Sequence, residues 1–258
     1  MHHGQKIMCS VRGIVPYIAV LFVFIIGWHF SSLYFNSILF PPPSKVFASL
    51  VHLLTHSQNY RHIFITSVRL LESITLVIAL GTAMVVLAKL GKFADNIISG
   101  MIYPFLQAMP NLVWAFLVLL VFGLSDISPV FIVVMSVLPT FFVPLYEGFK
   151  DIDREIVEMA HSFTKNRLRI FSKIYFPLLF PYFFSGLRLS FAKSLKILLV
   201  AEFLVSINGI GYMLSMAKDS YNVERILAWT LIIVVAILFF DYVLFRHVER
   251  KIGGKRVS

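Results

Sequence analysis

Charged residues are scarce in this chain. They make up 14% of its 258 residues, where a soluble domain carries about a quarter. In their place stand 59% hydrophobic residues, gathered in repeated apolar runs of about 20, the length that crosses a bilayer. The expectation is an integral membrane protein. Cysteine is nearly missing: a lone Cys9 excludes an internal disulfide and any cysteine-based metal cage. It sits in a basic N-terminal tail with no sign of a catalytic microenvironment. No Gly-x-x-x-x-Gly-Lys-Ser/Thr run is present, so the chain does not bind ATP through a P-loop. Gly209-Ile-Gly211 lacks the third glycine, strand and phosphate lysine of a nucleotide loop. No Gly-x-Ser-x-Gly elbow occurs either. His52 and His56, with His62 nearby, put imidazoles on one helix face. They lack a protease glutamate and a clear third ligand, so they read as solvated histidines on an interfacial helix. No catalytic residue and no metal site is assigned.

Acidic residues are also few, 13 against 23 Lys and Arg, leaving a net charge of +10. Such a balance can signal nucleic acid, but the placement of the charge argues otherwise. Six spans are expected, over about 14–34, 63–90, 104–122, 129–145, 176–205 and 226–245. The first is too long and too aromatic for a signal peptide, and no small-residue cleavage site follows it. With the N-terminus inside, the inner segments hold fifteen basic residues (Lys6, Arg12, Lys89, Lys92, Lys150, Arg154, Lys165, Arg167, Arg169, Lys173, Arg246, Arg250, Lys251, Lys255 and Arg256). The outer segments hold four: Lys45, Arg61, Lys218 and Arg225. This asymmetry orients the chain by the positive-inside rule, with both termini and the loop at about 149–175 in the cytoplasm.

Three further stretches stand out. After the first span, Leu-Phe-Pro-Pro-Pro-Ser-Lys-Val-Phe (39–47) forces an extended entry, with Ser44 as a candidate cap for an amphipathic helix. The third span carries Pro104 and Pro110, six apart, which are expected to break it where it leaves the cytoplasm. Ionisable residues at membrane depth are rare and functional candidates by default. Arg69 and Glu72 lie three apart and are expected to pair or to snorkel outward. The fifth span holds Arg188, Lys193, Lys196 and Glu202. Lys193 and Lys196 can face one cavity, lending positive potential to a pathway for an anionic or carbonyl-rich solute. Alternatively they neutralise Glu202 or Asp241, or snorkel inward.

The polar island at 151–177 organises the rest. Ile152, Ile156, Met159 and Phe163 recur at helical spacing, with acids in the first turn and bases after it, as the helix dipole prefers. Glu158-Met159-Ala160, then Thr164, Ile174 and Pro177, fall in register with the cytoplasmic EAA loop of ABC-importer permeases. That pattern is Glu-Ala-Ala, a glycine four residues on, then Ile-x-Leu-Pro. Met159 replaces an alanine, Phe176 replaces the leucine and Thr164 replaces the glycine. A β-branched residue disfavours positive φ, so the turn is expected to shift toward Asn166. The Pro-Ser segment, Pro110, Phe122-Gly-Leu-Ser125, Gly186-Leu-Arg188, Ala201-Glu202 and Gly209-Ile-Gly-Tyr212 resemble elements of the nitrate/taurine/sulfonate branch of that family. A lysine at position 196 departs from the small or apolar residues usual there.

The resemblance implies an all-α, polytopic fold of the type I ABC importer permease kind, a single permease domain over 1–258 in the bacterial or archaeal inner membrane. It implies a second permease chain, two ABC ATPase subunits that bind the ATP and Mg, and an extracytoplasmic solute-binding protein, with no cofactor in this chain. Glu158, Met159, Ala160, Thr164, Ile174 and Pro177 would couple to the ATPase, with Pro177 starting the fifth span. Arg188, Lys193, Lys196 and Glu202 are the pathway candidates. Two rivals are a secondary carrier, which needs an internal repeat, and a membrane-embedded enzyme, which needs catalytic groups on facing spans.

Overall fold

The computed structural model describes residue 20, residues 22–35 and residues 39–240. Cys9, Asp241 and the charged termini lie outside the described residues, as do the N-terminal part of the first expected span and the C-terminal end of the sixth. Helices are α1 (Phe22–Tyr34), α2 (Pro43–Thr55), α3 (Ser57–Ala88), α4 (Lys92–Ala108), α5 (Asn111–Phe122), α6 (Ile127–Lys150), α7 (Arg154–Phe163), α8 (Arg167–Val205), α9 (Ile210–Asp219) and α10 (Val223–Phe239). No strand occurs among the described residues. Taken alone, α3 and α6 are long and apolar enough to cross a membrane, and the bent pairs α4–α5 and α8–α9 each qualify as one broken span.

The chain divides into two compact units. The smaller joins residues up to Asn59 with Met216–Ile233. There the α2 helix begins behind Pro42, with no side-chain cap. Ser44 therefore does not cap it: proline already fixes the entry φ, and Ser44 falls inside the first turn. Val46 and Leu53 are buried, while Phe47, Val51 and Leu54 stay exposed. The His52 and His56 rings stack 3.9 Å apart between centroids.

The larger unit, Tyr60–Ser215 with the residues from Val234 on, is built around α6. Its Val133, Val137 and Phe141 recur every fourth residue and are completely buried, as a helix packed on one broad face requires. Phe141 sits between two glycines. A Cβ on Gly81 of α3 would lie 2.6 Å from its ring, and one on Gly186 of α8 would lie 3.2 Å from its carbonyl. Small residues let membrane helices approach closely enough for dispersion to hold them where lipid supplies no hydrophobic drive.

The two prolines of the expected third span behave differently. Before Pro104, residues Ile98–Ile102 form a π turn in which the Tyr103 N–H reaches the Ile98 carbonyl. An in-helix proline clashes with the carbonyl four residues back, and the widened turn relieves that clash, so the helix continues through Pro104. Before Pro110, Met109 is extended (φ −70°, ψ 120°), as a residue preceding proline prefers, and α4 and α5 diverge by 88°. Only Pro110 breaks the span. Pro177 repeats the first case: a π turn over Phe171–Tyr175, with Phe176 N–H bonded to Phe171 O, lets α8 run from Arg167 through the proline. Pro177 thus stands in the first turn of the α-helical stretch Phe176–Val205, the expected fifth span, which continues a helix begun at Arg167.

Candidate functional site

Three places in the larger unit carry the polar chemistry. The first is a buried ion network where α3 and α8 meet the 206–209 loop, the first turn of α9 and the start of α6. Glu202 is 0% exposed and Arg69 3%. Arg69 Nη1 donates to Glu202 Oε1 at 2.9 Å, to Ser206 Oγ at 3.0 Å and to the Asn208 carbonyl at 3.0 Å. Its Nη2 donates to Asp126 and to the Asn208 side-chain oxygen. The other Glu202 oxygen accepts from Gly211 N–H at 3.0 Å. Thr66 Oγ1 lies 2.8 and 3.0 Å from the two carboxylate oxygens and accepts from Ile210 N–H at 2.8 Å. Gly209 N–H donates to His62 Nδ1 at 3.1 Å.

Gly209 in this loop and Gly211 in the first turn of α9 both lie against Glu202. Gly209 has φ +99°, and a Cβ on it would run into the Glu202 carboxylate. A Cβ on Gly211 would run into the Leu199 carbonyl and lie 2.6 Å from Glu202 Cβ. Both open a way for the backbone to the charge, beyond turning the chain. Asp126, at the N-cap of α6, is held below the usual carboxylate range, first by the Arg69 hydrogen bond and then by that of Asn208.

Arg69 therefore does not pair with Glu72, which is exposed and makes no ion pair among the described residues. A same-helix pair three residues apart gives tenths of a kcal/mol, whereas Glu202 offers a charged acceptor inside the protein, where hydrogen bonds to ions are stronger. The same pairing takes Glu202 away from the lysines. Thr66, Asp126, Ser206 and Asn208 were not singled out from sequence: each is a common polar residue whose partner lies on another element.

The second place is the middle of α8. Lys193 Nζ donates to Thr140 Oγ1 of α6 at 2.9 Å and lines a cavity of about 320 Å³. Lys196 lines a neighbouring cavity of about 200 Å³. Arg188 is half-buried on the same helix, and neither it nor Glu202 lines either cavity.

The third place is the 151–177 stretch. Asp153 caps α7, its side chain accepting from Glu155 N–H at 2.9 Å. Glu158 is exposed. Ile156, Met159 and Phe163 are 39%, 58% and 84% exposed, while Ala160 is buried. Thr164 ends the helix in extended conformation, φ −155°, and its hydroxyl accepts from Asn166 N–H. Asn166 is also extended, φ −78°, and caps α8 by accepting from Arg169 N–H at 3.2 Å. The expected shift of a left-handed turn to Asn166 does not occur. Two extended residues and two side-chain caps make the turn without any positive φ, which suits a β-branched residue. Ile174 lies half-buried in the π turn and Pro177 is exposed.

Residues 76–254 match the family described as binding-protein-dependent transport system inner membrane component. The chain belongs to this family. Among its relatives, an ABC transporter permease protein of Haemophilus influenzae is 31% identical over 207 residues, 78% of this chain and 80% of its own. The aliphatic sulfonates transport permease protein SsuC of Escherichia coli is 25% identical over 215 residues, 83% of this chain and 76% of its own. The formylaminopyrimidine transport permease protein ThiX of Halalkalibacterium halodurans is 28% identical over 180 residues, 67% and 69%. The permease thus fits the nitrate/taurine/sulfonate branch, whose members are inner-membrane, multi-pass transport components.

Proposed function

We propose that this permease is the membrane subunit of an ATP-driven importer for a small polar or anionic solute. A separate binding protein delivers the solute, and two ATPase subunits, which carry the ATP and Mg, drive its passage. The observation that carries this reading is α7: a capped helix between long apolar helices whose stripe of Ile156, Met159 and Phe163 faces solvent. An exposed apolar patch of this kind marks an interaction surface. Its register with the EAA loop makes the ATPase the partner, with Glu158, Met159, Ala160, Thr164, Ile174 and Pro177 as the coupling stretch. Two permease chains, six spans each, with termini and α7 in the cytoplasm, complete the assembly; the basic residues on those segments support the orientation. Relatives named for aliphatic sulfonates and for formylaminopyrimidine support small polar cargo. Co-expression with a candidate ABC ATPase subunit from the same genome tests the docking surface. Wild-type permease is expected to co-purify with the ATPase, and Met159→Asp with Phe163→Asp to purify in equal yield without it. Undiminished recovery of the ATPase with that double variant would remove α7 as the docking element.

A further inference from the structure

The two cavities beside Lys193 and Lys196 are stacked along the helices. The larger is lined by Gln107, Asn111, Ser136, Thr140 and Lys193, among others. The smaller is lined by Asn111, Ala115, Ile132, Lys196 and Leu204, among others. On three elements the smaller cavity takes the residues closer to the Asp126 end: Ile132 before Thr140 on α6, Lys196 after Lys193 on α8, Ala115 after Gln107 across the α4–α5 break. Asn111, the first residue past that break, belongs to both.

The lining chemistry has one sign. Each cavity holds one lysine, neither lysine forms an ion pair among the described residues, and none of the described lining residues is acidic. Lys193 gives one of its three donors to Thr140, leaving two. Ser136 is 5% exposed, and its hydroxyl has no partner although it lines the larger cavity. A buried polar hydroxyl without a partner calls for an explanation, and a ligand oxygen supplies one. A cavity of about 320 Å³ stands at the lower edge of the ~300–1,000 Å³ typical of ligand pockets.

We propose that these cavities are two successive stations for a small organic monoanion bearing oxygen acceptors. Lys196 holds the anion at the station nearer Asp126 and Lys193 at the next. Asn111 passes it between them, and Thr140 and Ser136 complete the second station. This deepens the importer reading and rests on it for the direction of travel.

A charge-selective labelling experiment tests the stations without knowledge of the cargo. Cys9→Ser removes the native thiol, and Asn111→Cys places a reporter where the cavities join. The permease, in lipid nanodiscs with its ATPase partners, is treated with sulfonatoethyl methanethiosulfonate, an anion, or with its trimethylammonium counterpart. Rates are normalised to a free thiol. The anionic reagent is expected to react roughly tenfold faster, the scale of electrostatic focusing in a charged cleft. Lys193→Gln with Lys196→Gln is expected to bring the ratio close to one. Gln107→Cys repeats the measurement at the larger cavity should position 111 be needed for folding. Equal rates, a ratio untouched by the lysine substitutions, or no labelling at either position would overturn the proposal. ATP hydrolysis in the same preparation is scored separately. Stimulated hydrolysis with no anion preference rejects the stations alone, and a lysine-dependent preference without stimulation rejects the coupling alone.

Discussion

At the scale of single residues, Glu202 is where burial and charge conflict most sharply. A carboxylate with no exposed surface is sustained only by partners, and among the described residues it has three: Arg69, Thr66 and Gly211 N–H. Removing one side of a buried pair leaves an uncompensated charge, at about 3–5 kcal/mol. Arg69→Leu, which leaves Glu202 without a cation, is therefore expected to lower the unfolding midpoint in detergent strongly. Asp126→Asn, at a partner 74% exposed, is expected to cost under about 1 kcal/mol. Equal midpoints for Arg69→Leu and the parent would contradict this account of the network. Glu202 itself was legible in the sequence, as an acid inside an apolar run. Its partner was not, because Arg69 lies 133 positions away with Glu72 only three away, and nearness along a helix says nothing about an arginine pointing toward another helix.

At the scale of elements, close approach at Phe141 holds the larger unit together. With Gly81 on one side and Gly186 on the other, Phe141 of α6 leaves no room for a Cβ at Gly81 without a shift of its ring and only a tight fit for one at Gly186. Gly81→Leu would push its branch into the Phe141 ring and force the helices apart. Overpacking of this kind costs typically 1–3 kcal/mol, and loss of close contact adds to it in lipid, where packing is the main attraction between helices. A lowered midpoint with unchanged helical content is the expected result; a midpoint equal to the parent's would contradict the packing. The apolar runs revealed α3 and α6, because a length of about 20 hydrophobic residues admits few other solutions. They did not separate Pro104 and Pro177, which the helices absorb through π turns, from Pro110, which breaks one. The difference lies in backbone hydrogen bonding before each proline, and residue identity alone does not encode it. Thr164 makes the same point: its departure from glycine was legible, while its remedy, two extended residues each backed by a side-chain cap, depended on the hydroxyl of Thr164 itself and on Asn166.

At the scale of the whole molecule, one continuous helix links the exposed α7 to the cavities lined by Lys193 and Lys196. The α8 helix begins directly after the Thr164–Asn166 turn, carries Lys193 and Lys196 past the cavities, and ends at Glu202 and the glycine loop. On the proposed coupling, a push on α7 would reach the cavities beside Lys193 and Lys196 through that helix, whose far end the buried ion network holds. On this view Glu158 acts in coupling and contributes little to folding, since it is exposed. The most direct test is ATP hydrolysis by the complete complex in nanodiscs, with and without loaded binding protein. Hydrolysis is expected to rise several-fold with loaded binding protein in the parent and to stay at its basal rate in Glu158→Ala, with both complexes equally stable. Hydrolysis in Glu158→Ala that still rises as in the parent would contradict the coupling role, and a permease that recruits no ATPase would contradict the importer reading itself.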